Sequence, residues 1–255
     1  HAGMRSPAEI IKQPPVCPSD NEESGARALS QSEVEEVVED FIAAAIRAER
    51  AGFDGVELHG AHGYLLCQFF SGEINRREDE YGGNLTNRSR ILFEIIDGIR
   101  QQCHSNFMIG VRLSPERFGM KLDDSVELAQ RLCVEAKIDF LDMSLWDVFK
   151  EPNEEERRGR SLLSYFSSIE RGEVRLGVAG RICTPTDAER VFAEGIDWIM
   201  LGRAAILHHN FPALMQQDRN FLPTENPVSR EYLANEGLSE KFINYMSSWK
   251  GFVAE

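Results

Sequence analysis

The stretch VRLGVAGRICTPTDAERVFAEGIDWIMLG, residues 174–202, places two short apolar runs on either side of a polar segment with helical spacing. Thr184 followed by Pro185 is typical of a helix start, because threonine caps the first turn and proline is favoured at the first helical position. The flanking runs, VRLGVAG and DWIMLG, are nearly continuous in apolar residues, as expected of strands buried on both faces. The stretch therefore predicts two parallel strands joined by a helix.

The same alternation occupies most of the chain from Ser30 onward, after residues 6–29, whose prolines, serines and charges predict a long loop. Further strands are predicted in DGVEL, FMIGVRL and DFLDMSL, and further helices in residues 30–52, 87–103 and 124–136. Strands separated by helices predict an α/β fold with a parallel sheet covered on both faces. An α/β barrel and an open, doubly wound sheet both satisfy this pattern.

Polar residues and glycines at the ends of the predicted strands favour the barrel. Barrels place their chemistry at the C-terminal ends of their strands. The residues at these positions are His59, Arg112, Ser144, Gly180 and Gly202. No GxGxxG motif follows a predicted strand, which disfavours an open sheet that binds a dinucleotide. We therefore predict a TIM (β/α)8 barrel.

The length and composition of the chain indicate its general class. Its 255 residues, 42% of them hydrophobic, fit one barrel of about 250 residues, so residues 1–255 are predicted to form a single domain. The net charge of -14 would repel the phosphate backbone of a nucleic acid. No run approaches the roughly 20 apolar residues that cross a bilayer, and no leader segment opens the chain. The prediction is a cytoplasmic protein without a nucleic-acid or membrane partner.

Two histidines and a tyrosine follow a predicted strand in GVELHGAHGYLLCQFFS, residues 55–71. His59 and His62 are candidates for metal binding, for acid–base catalysis or for hydrogen bonding to a carbonyl oxygen; the alternative is a pair of polar loop residues. Metal is disfavoured, because an HExxH spacing is absent and the five cysteines show no metal-ligand spacing. Tyr64 favours a catalytic role for this segment over a polar loop, because a phenol keeps its proton at neutral pH and can give it to an enolate. The set suits reduction of a carbon–carbon double bond conjugated to a carbonyl.

Such a reaction needs a hydride source, which no side chain supplies, so a redox cofactor is predicted. Arg112, at the end of an apolar strand, is a permanent cation that must meet an anion or an electron-rich ring. Gly180-Arg181 and Gly202-Arg203 follow the last two predicted strands, where barrels commonly hold a phosphate with backbone N–H groups. The alternative for these arginines is pairing with surface carboxylates.

These residues resemble the old yellow enzyme family of FMN-dependent ene reductases. DGVELHGAHGYLLCQFFS followed by NRREDEYGGNLTNRSRIL is similar to the family's segment of two hydrogen-bond donors and a tyrosine before an Asn-x-Arg, an Asp-x-Tyr-Gly-Gly and an Asn-Arg series. GVRLSP and LGRA fall in the family's order, and HAGMR at residues 1–5 resembles the His-x-Gly-Arg that ends its third barrel strand. The likeness covers essentially the whole chain, and the two histidines resemble the branch of the family with a His pair.

The resemblance implies an eight-stranded barrel with FMN at its C-terminal mouth, reduced by NADH or NADPH and reoxidised by an enone or enal. His59 and His62 would hold the substrate carbonyl, and Tyr64 would donate the proton. Arg112 would face the flavin near N1 and the C2 carbonyl. Trp146 would line the substrate pocket, with ordinary packing as the alternative. The residues that would hold the phosphate are Gly180, Arg181, Gly202 and Arg203.

The resemblance also implies that the first strands of the barrel are missing from this chain. If residues 1–5 end the third strand, two strands precede them in the family, and their absence would expose sheet edges. We therefore interpret the chain as part of a longer protein. In NRREDEYGGN, Arg76 and Asp79, with Arg88 shortly after, are predicted to anchor the loop. The tail, residues 223–255, is predicted to pack on the barrel. The sequence leaves open whether the protein forms a homo-oligomer.

Two other functions stay open at this point. One is another FMN-barrel NADH oxidase, in which the His pair serves a different acceptor. The other is a flavin- or ligand-binding fragment without catalysis. Iron–sulfur reductases that share this barrel are excluded, because the cysteine cluster that follows the barrel in those enzymes is absent from this sequence.

Overall fold

The computed structural model describes residues 2–254, and its N-terminal part is largely irregular. Helix α1 (Ala8–Ile11) precedes strands β1 (Val16–Cys17) and β2 (Arg27–Ala28), which pair in parallel. Only these short elements interrupt the long loop predicted for residues 6–29. His1, which the resemblance assigns to the end of a strand, lies outside the described residues.

Five parallel strands form the main sheet, in the order in which they occur along the chain. They are β3 (Gly55–Gly60), β4 (Met108–Leu113), β5 (Phe140–Ser144), β6 (Arg175–Ala179) and β7 (Trp198–Met200). Each strand predicted from the sequence is therefore present. An open doubly wound sheet reverses its strand order at a switch point, whereas this sheet has no reversal. The order is that of five consecutive strands of a TIM barrel, which confirms the predicted fold class.

Helices follow the strands and cover one face of the sheet. They are α2 (Gln31–Arg50), α3 (Leu65–Phe70), α4 (Leu85–Gln102), α5 (Leu122–Glu135), the 3-10 turn Glu155–Arg157, α6 (Leu162–Ser167), α7 (Pro185–Ala193) and α8 (Arg203–Leu207). Helix α2 begins after Ser30, which forms a capping box with Glu33. Helix α7 begins at the predicted Thr184 cap, with Pro185 in its first turn.

Side-chain alternation gives the main sheet two different faces. On the face that packs against the helices, Leu58 and Val111 are buried in the main hydrophobic core. The inner face carries polar side chains. Because the strands are parallel and paired residue by residue, His59 is opposite Arg112, and Arg112 is opposite Asp142. The register therefore gathers chemistry-bearing groups from three strands on one surface.

The C-terminal tail packs on its own chain, as predicted. Helix α9 (Phe211–Gln217) precedes the tail, which contains α10 (Arg230–Asn235) and α11 (Glu240–Ser247). A second apolar cluster joins Leu207 of α8 to Leu233 of α10 and Met246 of α11. Among the helices of residues 2–254, none is long and apolar enough to cross a membrane.

Candidate active site

His59, His62 and Tyr64 come together at the C-terminal end of β3. After His59 the chain turns sharply, because His62 and Gly63 both adopt left-handed conformations, with φ of 61° and 72°. The backbone N–H of His62 donates to Ser114 Oγ at 3.0 Å, which ties the turn to the end of β4. Between ring centroids, His59 lies 5.0 Å from His62 and 5.7 Å from Tyr64. The three side chains predicted to act together are therefore neighbours.

Both imidazoles are neutral at pH 7. Burial, supported by the charges of His62 and Arg112, lowers the pKa of His59 to about 4. Burial also lowers the pKa of His62, with Arg112 and Arg5 acting in the same direction. A neutral imidazole keeps one N–H, so each ring can donate a hydrogen bond without giving up a proton. Such a pair suits a carbonyl oxygen that gains negative charge.

Arg112 holds its guanidinium on the inner face of the sheet, on the strand next to His59. Its Nε donates to Ser144 Oγ at 2.8 Å, and its Nη1 lies 3.9 Å from Glu57 Oε2. The side chain is only 25% exposed, so water screens its charge weakly. A permanent cation in this position can meet negative charge on a ring that rests against the strand ends.

Two carboxyl groups, Glu57 and Asp142, interact on the inner face beside Arg112. Burial, followed by the hydrogen bond to Asp142 and the charge of Asp142, raises the pKa of Glu57 to about 8, while Arg112 opposes the shift. Adjacent carboxylates repel each other, so the pair holds one proton at neutral pH. We did not predict this pair from the sequence, because two acidic residues 85 positions apart show no joint pattern until the strand register is known.

The shared proton predicts a pH dependence of stability. A carboxyl group whose pKa is raised on folding keeps a proton that the unfolded chain releases, so stability falls as the pH rises from 4.5 to about 8. We expect the Glu57→Gln variant to lack the fall in stability that Glu57 causes over this pH range. Urea unfolding midpoints at about pH 6.5 and about pH 8 test the expectation. The wild type should lose more stability between these values than the variant, and equal losses would show that the pair shares no proton.

The loops after β6 and β7 carry the two Gly-Arg pairs predicted to hold a phosphate. A Cβ atom at Gly180 would lie 3.0 Å from the backbone of Trp146, so this loop passes close to the loop after β5. Arg181 Nη1 lies 3.4 Å from Asp147 Oδ2, although its side chain is 69% exposed. Within residues 2–254, no protein acceptor receives the backbone N–H groups of Gly180, Arg181, Gly202 and Arg203. These N–H groups are therefore available to an anion.

A cavity of about 790 Å³ opens at the C-terminal ends of the strands. The predicted residues that line it are His62, Tyr64, Arg112, Trp146, Gly180, Arg181, Gly202 and Arg203. His59 is half-buried beside this cavity, with its ring against His62. Trp146 is 67% exposed, so it is not a core-packing residue. The structure thus gathers the predicted residues around one space.

Other residues that line the cavity were not predicted as site residues. They include Arg5, Arg117, Phe118 and, from the tail, Trp249. Five of the seven described non-glycine residues with left-handed backbone line the cavity: His62, Arg117, Phe118, Trp146 and Arg181. This conformation is unfavourable for a side-chain-bearing residue and concentrates at functional sites. It follows no simple sequence pattern, which is why the loop at residues 117–118 escaped prediction.

Arginines anchor the NRREDEYGGN segment as predicted, and Arg76 Nη2 donates to the Asp20 carbonyl oxygen at 2.7 Å. Arg77, which was not predicted, pairs with Asp79, with 2.5 Å between its Nη2 and Asp79 Oδ2. Arg88 is buried and lies 2.5 Å from Asp124 Oδ2. Arg76 is exposed. Which of two adjacent arginines turns inward depends on the path of the loop, and the sequence alone does not reveal that path.

The chain thus combines the parallel sheet of an α/β barrel with paired imidazoles and two Gly-Arg loops beside one cavity at the strand ends. The chain belongs to the NADH:flavin oxidoreductase / NADH oxidase family, whose profile matches residues 1–221. This membership confirms the predicted family.

Relatives and solved structures agree with this assignment. The chain is 34% identical over 234 residues to the probable NADH-dependent flavin oxidoreductase YqiG of Bacillus subtilis, covering 86% of this chain and 62% of the relative. It is 33% identical over 219 residues to an NADPH dehydrogenase of a Geobacillus species, covering 83% and 63%. The old yellow enzyme homologue of Zymomonas mobilis superposes with a TM-score of 0.73 at 26% identity, covering 91% of this chain and 68% of that one. The chain therefore spans 62% and 63% of the lengths of these two curated relatives.

The donor set fits FMN. The cavity offers backbone N–H groups without a protein acceptor near Gly180 and Gly202, which suit a phosphate. It also offers the guanidinium of Arg112, which suits the electron-rich edge of a flavin ring. Cationic and N–H donors therefore serve both charged parts of the cofactor.

Proposed function

We propose that the protein uses NADH or NADPH to reduce the carbon–carbon double bond of α,β-unsaturated carbonyl compounds. The observation that carries the proposal is the cluster of two neutral imidazoles, with ring centroids 5.0 Å apart, and a phenol whose ring lies 5.7 Å from the first. This set combines hydrogen-bond donors for an oxyanion with a proton donor for carbon. His59, His62 and Tyr64 therefore have the chemistry that the reduction requires.

FMN held in this cavity would supply the hydride that the alkene carbon beta to the carbonyl group receives, with NAD(P)H as the source of that hydride. His59 and His62 donate ring N–H bonds to the carbonyl oxygen and stabilise the negative charge that develops there. Tyr64 gives its phenolic proton to the alpha carbon, and solvent restores that proton. The products are the saturated carbonyl compound and NAD(P)+.

The proposed cofactor contacts divide between the two ends of the cavity. Arg112, whose guanidinium Ser144 holds in place, would stabilise the negative charge that a reduced flavin ring carries. Gly180, Arg181, Gly202 and Arg203 would hold the phosphate. Trp146 lines the substrate side. A cytoplasmic location and a homo-oligomer remain predictions from the sequence.

The absorption spectrum of the purified full-length protein tests the proposal. We expect the bands of a bound flavin, their loss when NADPH is added without oxygen, and their return when cyclohexenone follows. A folded protein that binds no FMN when offered it would overturn the proposal. Reoxidation by oxygen but not by cyclohexenone would identify the NADH oxidase alternative instead.

A further inference from the structure

Two arginines outside the proposed machinery lie at the wall of the cavity, both beside Phe118. The guanidinium carbon of Arg5 lies 5.2 Å from the centroid of this ring, and that of Arg117 lies 5.7 Å away. Arg117 also lies 4.5 Å from the centroid of the Trp146 ring. Both arginines line the cavity together with His62.

Neither guanidinium has an acidic partner. In the part of the chain that the structure describes, no carboxylate forms an ion pair with Arg5 or Arg117. The adjacent Glu116 is buried and pairs instead with Lys150, at 2.5 Å between Oε1 and Nζ. The wall of the cavity therefore carries two uncompensated positive charges.

The backbone fixes these charges close to the imidazole pair. Arg5 Nη1 donates to the His62 carbonyl oxygen at 3.0 Å. Arg117 and Phe118 adopt left-handed conformations with φ of 71° and 54°, and the Met120 N–H donates to the Arg117 carbonyl oxygen at 2.9 Å. The aromatic faces of Phe118 and Trp146 limit where the Arg117 guanidinium can lie. Its charge is thus held near the place where the reacting group would bind.

We infer that Arg5 and Arg117 bind a carboxylate of the substrate, so that the site takes unsaturated carbonyl compounds with a second, anionic end, such as 4-oxo-2-alkenoates. The inference rests on the proposed function and names its substrate class. A guanidinium binds a carboxylate through charge-assisted, often bidentate hydrogen bonds. The phosphate of the flavin has its own donors after β6 and β7, whereas these two arginines belong to the segments around His62. The pyrophosphate of NAD(P)H shares the same anionic chemistry, and the experiment separates it from a substrate carboxylate.

Reduction of (E)-4-oxopent-2-enoate and of its methyl ester by the full-length holoenzyme tests the inference, because the two differ in one charge. We expect Arg117→Gln to lower kcat/KM for the acid by about tenfold to a hundredfold and to leave the ester and cyclohexenone unchanged. Arg117→Lys should recover part of the loss. Arg50→Gln, which removes an exposed charge on α2 away from the cavity, controls for the change in net charge. Equal effects on acid and ester would overturn the inference, and so would a rise confined to the KM for NADPH.

Binding without turnover keeps the inference separate from the proposed function. Calorimetric titration of the holoenzyme with 4-oxopentanoate and with its methyl ester measures the anion site even if no alkene is reduced. The acid should bind more tightly than the ester to the wild type, and this preference should disappear in Arg117→Gln. Equal affinities in the wild type would overturn the inference, whereas failure of cyclohexenone to reoxidise the flavin would overturn only the proposed function.

Discussion

Tyr64→Phe is expected to slow the reoxidation of NADPH-reduced holoenzyme by cyclohexenone by about a hundredfold to ten-thousandfold, the usual contribution of a positioned general acid. The variant keeps the aromatic ring beside His59 and loses only the hydroxyl group, and with it the proton to be donated. Reduction by NADPH needs no such proton, so its rate should stay nearly unchanged. Anaerobic stopped-flow absorbance measures both half-reactions in the same preparation.

Tyr81→Phe provides a matched control for this experiment. Tyr81 is buried, and its hydroxyl donates to Glu94 Oε2 at 2.9 Å, but it does not line the cavity. Its loss should leave both half-reactions intact. Equal slowing of both half-reactions in Tyr64→Phe would show that the tyrosine supports the site in general and does not supply the proton.

Arg112→Met is expected to weaken FMN binding by about tenfold to a few hundredfold, because it removes charge-assisted hydrogen bonds to the ring. The effect should grow when the bound flavin is reduced, since the ring then carries more negative charge. Arg112→Lys keeps the charge without the fork of donors, and it should fall between the wild type and Arg112→Met. Quenching of FMN fluorescence during titration measures the affinity.

Arg175→Met serves as the control for Arg112→Met. Arg175 is exposed at the opposite end of the sheet, at the start of β6, and its loss should not change the affinity. Circular dichroism and the unfolding midpoint separate a lost contact from a lost fold. An unchanged FMN affinity in folded Arg112→Met would show that the guanidinium serves only Ser144 and the carboxyl pair.

The parts of the fold that depend on local pattern could be predicted from the sequence. Thr184 and Pro185 mark the start of α7 because capping is a property of neighbouring residues, and the apolar runs mark all five main strands because burial on two faces leaves few polar positions. The positions of His59, Arg112 and Ser144 at strand ends could also be predicted, because the strands themselves were predicted from the local sequence. Parallel pairing then brings them to one edge of the sheet.

Features that depend on tertiary geometry could not be predicted. The interaction of Glu57 with Asp142 requires the register of the strands, and the pairing of Arg77 with Asp79 requires the path of the loop. The entry of Trp249 into the cavity wall requires the position of the tail. The family resemblance implied roles for the histidines and Tyr64, but it assigned no role to Arg5 or Arg117.

The residues with left-handed backbone along the cavity imply that side chains are kept there although the backbone conformation at those positions favours glycine. Each such residue costs about 1 kcal/mol or more relative to glycine, which adopts the conformation freely. A search of variants for thermal tolerance alone would therefore place glycine at His62, Arg117 and Trp146. The resulting protein would be more stable but would lack side chains that line the cavity.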